Sequence, residues 1–240
     1  MHVASPSFAA PRLAAVQASP QRAVALWLLA CCALVFLIVV IGGVTRLTHS
    51  GLSITEWQPI VGTLPPLSAA DWQQAFAKYQ LTPEFRDVNH AMTLAEFKGI
   101  FWWEYSHRLL GRAIGVAFLL PFLYFLVRRR IPRGFAKSLA SIFVLGGLQG
   151  ALGWYMVQSG LVDDPRVSQF RLTAHLGLAV LIFGAMLWTA LSLLDTGHLD
   201  AGVLESPPAT PVSANLRRFA YGVCALVFAM ILTGGLVAGI

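Results

Sequence analysis

Apolar residues along this chain gather into five long runs, approximately Ala23–Val44, Ile100–Val127, Ser138–Val157, Phe170–Leu194 and Phe219–Ile240. Each is about the 20 residues an α-helix needs to cross a bilayer. The pattern predicts an all-α polytopic membrane protein: a four-helix transmembrane bundle over 23–194, a polar linker at 195–218, and the first helix of a second, repeated bundle over 219–240. Residues 1–22 are rich in Ala, Pro and Ser, carry two arginines and no acid, and read as a cytoplasmic tail. No cleavage pattern follows the first run, which therefore reads as a retained helix rather than a signal peptide.

The polar stretch 46–99 is too long for a simple connector. Ser68-Ala-Ala-Asp71 is a capping-box pattern opening an amphipathic helix with Trp72, Phe76 and Tyr79 on its apolar face. A second start follows at Thr82-Pro83-Glu84, and a third, Thr93-Leu-Ala-Glu96, leads into the second run. The stretch thus predicts a small helical cap outside the membrane, with Phe101, Trp102 and Trp103 as an aromatic belt at the interface.

Composition agrees with the runs: 57% of the 240 residues are hydrophobic, 12% are charged, and the mean hydropathy is +0.68. Soluble domains carry roughly twice that charged fraction. The net charge of +6 does not point to nucleic acid, because its positives sit where topology places them. RRRIPRGFAK (128–137) carries Lys and Arg with no acid, and Arg217 and Arg218 abut the last run. The positive-inside rule puts both in the cytoplasm, so the N-terminus is cytoplasmic and 46–99 and 158–169 lie outside. Cys31, Cys32 and Cys224 all fall within apolar runs, which excludes a disulfide framework in the loops.

The chain also resembles itself. CALVFLIVVIGGV (32–44) and CALVFAMILTGGL (224–236) align without a gap, with the glycine pair in register. Such repeats are common in membrane proteins. The pattern implies a duplicated bundle and a chain that ends within the second unit.

Ionisable residues inside apolar runs are costly and mark function. WWEYSHRLLGR (102–112) opens the second run, and His107 lies about two turns inside it. His175 lies at similar depth in the fourth run, which has the same direction. Two imidazoles so placed suit the axial ligands of a haem inside a four-helix bundle. Gly111 and Ala179 follow the histidines by one turn and leave room for a flat ring. Arg171, one turn nearer water than His175, together with Arg108 and Arg112, offers donors for haem propionates. Arg112 can instead bind a neighbouring carbonyl. Glu104 shares a face with His107 and can orient the imidazole, pair with an arginine, or handle protons. The third run contributes GGLQGALG (146–153), whose glycines permit close approach of a helix or cofactor. His2 and His198 sit in polar segments; His49 and His90 sit in the cap, where a structural role is favoured for His90.

GGVTRLTHSGLSITEWQPIVGTLPP (42–66), NHAMTLAEFKGIFWWEYSHRLLGR (89–112) and LQGALGWYMVQSGLVDDPRVSQFRLTAHLGLA (148–179) resemble haem A synthase, in the proteobacterial and mitochondrial branch that lacks a cysteine pair in the outside loop. The resemblance implies two similar four-helix bundles, each with a haem-ligating histidine pair. It also implies oxidation of a ring methyl of haem O to the formyl group of haem A, for terminal oxidase assembly. It puts Glu104 in the acidic catalytic position, with His107 and His175 lining the substrate-haem site. A haem b is expected on a histidine pair beyond Ile240, so an isolated 1–240 fragment is expected to be inactive. The implied partners are haem O, the farnesyltransferase that produces it, an electron donor and the lipid bilayer. The implied location is a bacterial inner membrane, in preference to the mitochondrial inner membrane. Two competing classes are a bis-histidine, cytochrome b-like electron-transfer subunit and a transporter. Glu104 beside a ligand and the large cap disfavour the first, and the want of discontinuous helices disfavours the second.

Overall fold

The computed structural model describes residues 20–162, 164–200 and 212–239. Most of the expected 1–22 tail, and residues 201–211 of the expected linker, lie outside the described residues. The described residues form seven α-helices: α1 (Pro20–Leu47), α2 (Ala69–Tyr79), α3 (Pro83–Asp87), α4 (Leu94–Val127), α5 (Phe135–Gln158), α6 (Gln169–Asp200) and α7 (Ala214–Ala238). Five of them, α1 and α4 to α7, are long and apolar enough to cross a membrane. The protein is a multi-pass membrane protein.

Within the first four long helices, α1 packs most extensively on α6 and α4, α6 on α5, and α4 more thinly on α5. The ring order is therefore α1–α4–α5–α6, with α4 and α6 on the diagonal. Short connections make α5 antiparallel to both α4 and α6, so the diagonal pair runs in one direction. Helix α7 lies outside this ring against α6. Its cap-side end meets the matching end of its repeat mate α1, where Arg46 Nε donates to Ala238 O at 2.6 Å.

The bundle is packed unevenly. Buried apolar residues fill its cap-distal half: Leu28, Cys31 and Val35 from α1, Phe118 and Phe122 from α4, Leu139 and Ile142 from α5, Ile182 and Met186 from α6. Towards the cap this core stops at Val35, Phe118, Ile142 and Ile182. Beyond that level α4, α5 and α6 present His107, Gly111, Gly115, Gly146, Gly150, Gly153, His175 and Ala179. Small and polar side chains are interspersed there with the partly buried Ile114, Leu145 and Leu178.

The cap forms where the capping signals place it. Ser68 Oγ accepts from Asp71 N while Asp71 Oδ2 accepts from Ser68 N at 2.9 Å, closing the box that starts α2. The Ser68 amide holds the Asp71 carboxyl below its ordinary range. Thr82 caps α3 with Pro83 in its first turn, and Thr93 and Glu96 form a second box at the start of α4. Trp72, Phe76 and Tyr79 are buried against Phe97, Phe101 and Tyr105. That packing explains why α4 begins six residues before the expected span: its first turns belong to the cap. Phe101 is accordingly not a belt residue, since it is buried edge-on to Trp72 at 4.9 Å. Trp102 and Trp103 remain exposed.

Candidate functional site

His107 and His175 stand on the two diagonal helices, and each ring rests on a glycine of a neighbouring helix. A Cβ at Gly42 of α1 would lie 3.0 Å from His107 Nε2. A Cβ at Gly153 of α5 would lie 2.9 Å from His175 Cε1 and 3.5 Å from both ring nitrogens. Gly42 and Gly153 each lie five residues before the cap-side end of their helix, which is about 7.5 Å at 1.5 Å per residue. Two independent helices thus put the two imidazoles at one depth.

Gln149 of α5 sits beside His175. Its Nε2 donates to His175 O at 3.0 Å and lies 3.4 Å from the ring Nε2. His175 Nδ1 and Gln149 Oε1 are buried without a hydrogen-bond partner among the described residues. Unpaired polar atoms are rare in a folded interior and call for a ligand or water. A partnerless imidazole nitrogen, glycine seats and a zone of small residues fit an iron porphyrin held between α4 and α6.

Glu104 lies one turn from His107 and is 3% exposed. Of the roles open to it in the sequence, the structure records pairing with an arginine. Arg108 Nη2 donates to Oε1 at 2.6 Å. Ser53 Oγ and Ile54 N both donate to Oε2 at 2.7 Å. Arg108 then ties the same loop again, donating to Ile54 O and Glu56 O. Glu104 and Arg108 together clamp the 53–56 segment of the cap against α4. Three donor contacts of this kind fix the orientation of the carboxylate.

The remaining expected residues are placed as follows. Arg112 Nε and Nη2 donate to Pro59 O and Gln58 O, while its Nη1 is buried without a partner. Arg108 and Arg112, expected as propionate donors, thus give most of their donors to cap carbonyls, and one nitrogen of Arg112 stays available. Arg171 lies over the Tyr155 ring at 3.8 Å and donates to Tyr155 O, so it joins the ends of α5 and α6. Gly111 faces Ile38 of α1, with 3.5 Å for an added Cβ; the closer ring seats are Gly42 and Gly153. His49 and His90 are exposed in the cap, His2 lies outside the described residues, and Cys31 and Cys32 are buried in the core.

Sequence reasoning missed Ser53, Ile54 and Gln149. Ser53 and Ile54 reach Glu104 from about fifty positions away, and no local pattern encodes that. Gln149 carried a signal: an amide inside an apolar glycine-rich run needs a polar partner.

The architecture defines a polytopic helical bundle with a histidine on each of two diagonal helices beneath a helical cap. Residues 25–240 match the family model COX15-CtaA, described as "Cytochrome oxidase assembly protein". The chain belongs to this family. It is similar to a protein of Nitrosospira multiformis named "Heme A synthase", 57% identical over 225 residues, covering 92% of this chain and 60% of that relative. A "Heme A synthase" of Nitrosomonas eutropha is 56% identical, covering 90% and 59%. One of Parvibaculum lavamentivorans is 50% identical, covering 96% and 64%. The chain therefore spans about 60% of the length of these relatives. No solved structure matches.

Proposed function

We propose that this chain forms the substrate-haem bundle of a haem A synthase, which oxidises a ring methyl of haem O to the formyl group of haem A. The carrying observation is the diagonal histidine pair at one depth, each ring seated on a glycine of an adjacent helix. The similarity to proteins named for this activity supports the same reading.

In this reading His107 and His175 hold the iron, and Gly42, Gly153 and Gln149 position the two rings. When bound, the haem supplies both the redox-active iron and the methyl group to be oxidised. Arg112 Nη1 serves a propionate. Glu104 has two parts: through Ser53, Ile54 and Arg108 it locks the cap over the site and excludes water, and at Oε2 it accepts a proton as the methyl is oxidised. The cap contributes a dry ceiling, where charge–dipole contacts are stronger than in water.

The same proposal places the protein in a bacterial plasma membrane, with the basic 128–137 turn and the N-terminus in the cytoplasm. Haem O arrives from the farnesyltransferase that makes it. A haem b, on a second histidine pair without counterpart among the described residues, relays electrons.

The test is pigment extraction from cells carrying the full-length protein. Wild type is expected to yield formyl-bearing haem. Glu104→Gln is expected to keep the haem spectrum and lose that product, whereas an electron-transfer cytochrome would yield none from either. Unchanged product from Glu104→Gln would remove the proton role.

A further inference from the structure

The cap segment 57–67, WQPIVGTLPPL, touches the site above through the Gln58 and Pro59 carbonyls that Arg112 binds, and has a composition unlike the rest of the cap. From Trp57 to Ala70 it carries no charge. Ile60, Val61, Leu64 and Leu67 are 81, 74, 70 and 77% exposed. A run of apolar side chains this bare marks an interaction surface.

Its position along α4 identifies what it meets. Tyr105 Oη donates to Thr63 O at 2.6 Å, and Arg112 binds Gln58 O and Pro59 O. The segment therefore lies along α4 within side-chain reach of Tyr105 and Arg112. Arg112 is nine residues past exposed Trp103, about 13 Å at 1.5 Å per residue, and its side chain leans back towards the cap end of the helix to meet the segment. Its exposed residues continue the bare apolar face of α4 at Leu109 and Val116.

Part of its backbone is paired within the protein. Gln58 O also accepts from Gly62 N, Ile60 O from Thr63 N and Oγ1, and Val61 O from Leu64 N. Pro59, Pro65 and Pro66 have no N–H to satisfy. Irregular backbone at membrane depth needs protein partners for its polar groups, and two side chains of α4 supply them to the carbonyls of Gln58, Pro59 and Thr63. At its start, Trp57 stacks near Trp154 of α5 at 5.6 Å. The segment thus bridges α4 and α5, the most thinly packed neighbours in the ring.

We propose that residues 57–67 form a lip inserted into the cap-side leaflet, where acyl chains cover Ile60, Val61, Leu64 and Leu67 and the lip closes the α4–α5 seam. The inference does not depend on the haem chemistry. It is tested on the full-length protein in lipid nanodiscs, in a Cys224→Ser background that removes the exposed cysteine. A fluorescent probe is placed by Val61→Cys or Leu64→Cys, with Gln74→Cys on the exposed face of α2 as the control. Lipids bearing a nitroxide high on the acyl chain are expected to quench most of the emission at 61 and 64 and little at 74. Adding Tyr105→Phe, which frees Thr63 O, is expected to reduce that quenching. A probe at 61 quenched no more than at 74 overturns the proposal. So does one shielded from both the lipid nitroxide and an aqueous quencher, which would place a protein on the lip instead.

Discussion

The seat under His175 can be filled by one methyl group. In Gly153→Ala the new Cβ would stand 2.9 Å from Cε1 and 3.5 Å from each ring nitrogen. Carbon atoms rest at about 3.5–4.0 Å, so the ring or α5 must move by roughly 0.6–1 Å. Gln149 resists that retreat, because it is bonded to the His175 carbonyl and lies against the ring. Overpacking of this kind costs about 1–3 kcal/mol. If the strain falls on the ligated state, haem affinity drops about 5- to 150-fold. The assay is haem titration of the purified full-length protein, followed by its Soret absorbance. Gly184→Ala on α6 is the control, since nothing lies within 4 Å of the added Cβ there. Equal haem affinity in the two variants would refute the assignment of Gly153 as the seat of a ligating ring.

Further predictions follow from the clamp and the cap. Arg108→Ala strands the Glu104 carboxylate, and breaking a buried pair costs about 3–5 kcal/mol. Thermal unfolding in detergent should show that loss, with Glu104→Gln recovering part of it in the double variant; additive losses would contradict the coupling. Glu84, buried in the cap beside Tyr79, has its carboxyl pushed up from 4.5 to about 7, chiefly by burial. The fold therefore favours its neutral form: the contribution is full below about pH 4.5 and is lost as pH rises through about 7, on the order of 3 kcal/mol in all. Amide exchange in α2 and α3 should quicken over that window, and Glu84→Gln should flatten the dependence. Ser68→Ala removes one half of the α2 capping box at about 1 kcal/mol; α2 exchange should rise while haem binding stays as in wild type.

Much of this was legible because its causes are local. Capping boxes act over three residues, so Ser68–Asp71, Thr82–Pro83 and Thr93–Glu96 announced the cap helices directly. Bilayer thickness fixes run length, so the five long helices were visible as apolar runs. The depth of His107 and His175 followed from counting turns. What stayed hidden is long-range. Arg108 and Arg112 look like ligand donors when only their own helix is visible, but the carbonyls they bind belong to residues more than fifty positions earlier. Gly42 was legible as half of a repeat, not as a ring seat, because that role depends on which helix α1 faces. The early start of α4 and the burial of Phe101 share one cause: aromatic packing with α2, which overrides the expected membrane boundary.

The most direct test of the paired-imidazole centre is electron paramagnetic resonance of the full-length protein loaded with haem. His107→Ala and His175→Ala would be measured singly beside wild type. Wild type is expected to give a low-spin signal from two axial imidazoles on this bundle's iron, and each single variant a high-spin signal from one remaining ligand. A variant that keeps the wild-type low-spin signal would show that its histidine does not hold the iron, and would contradict the central claim.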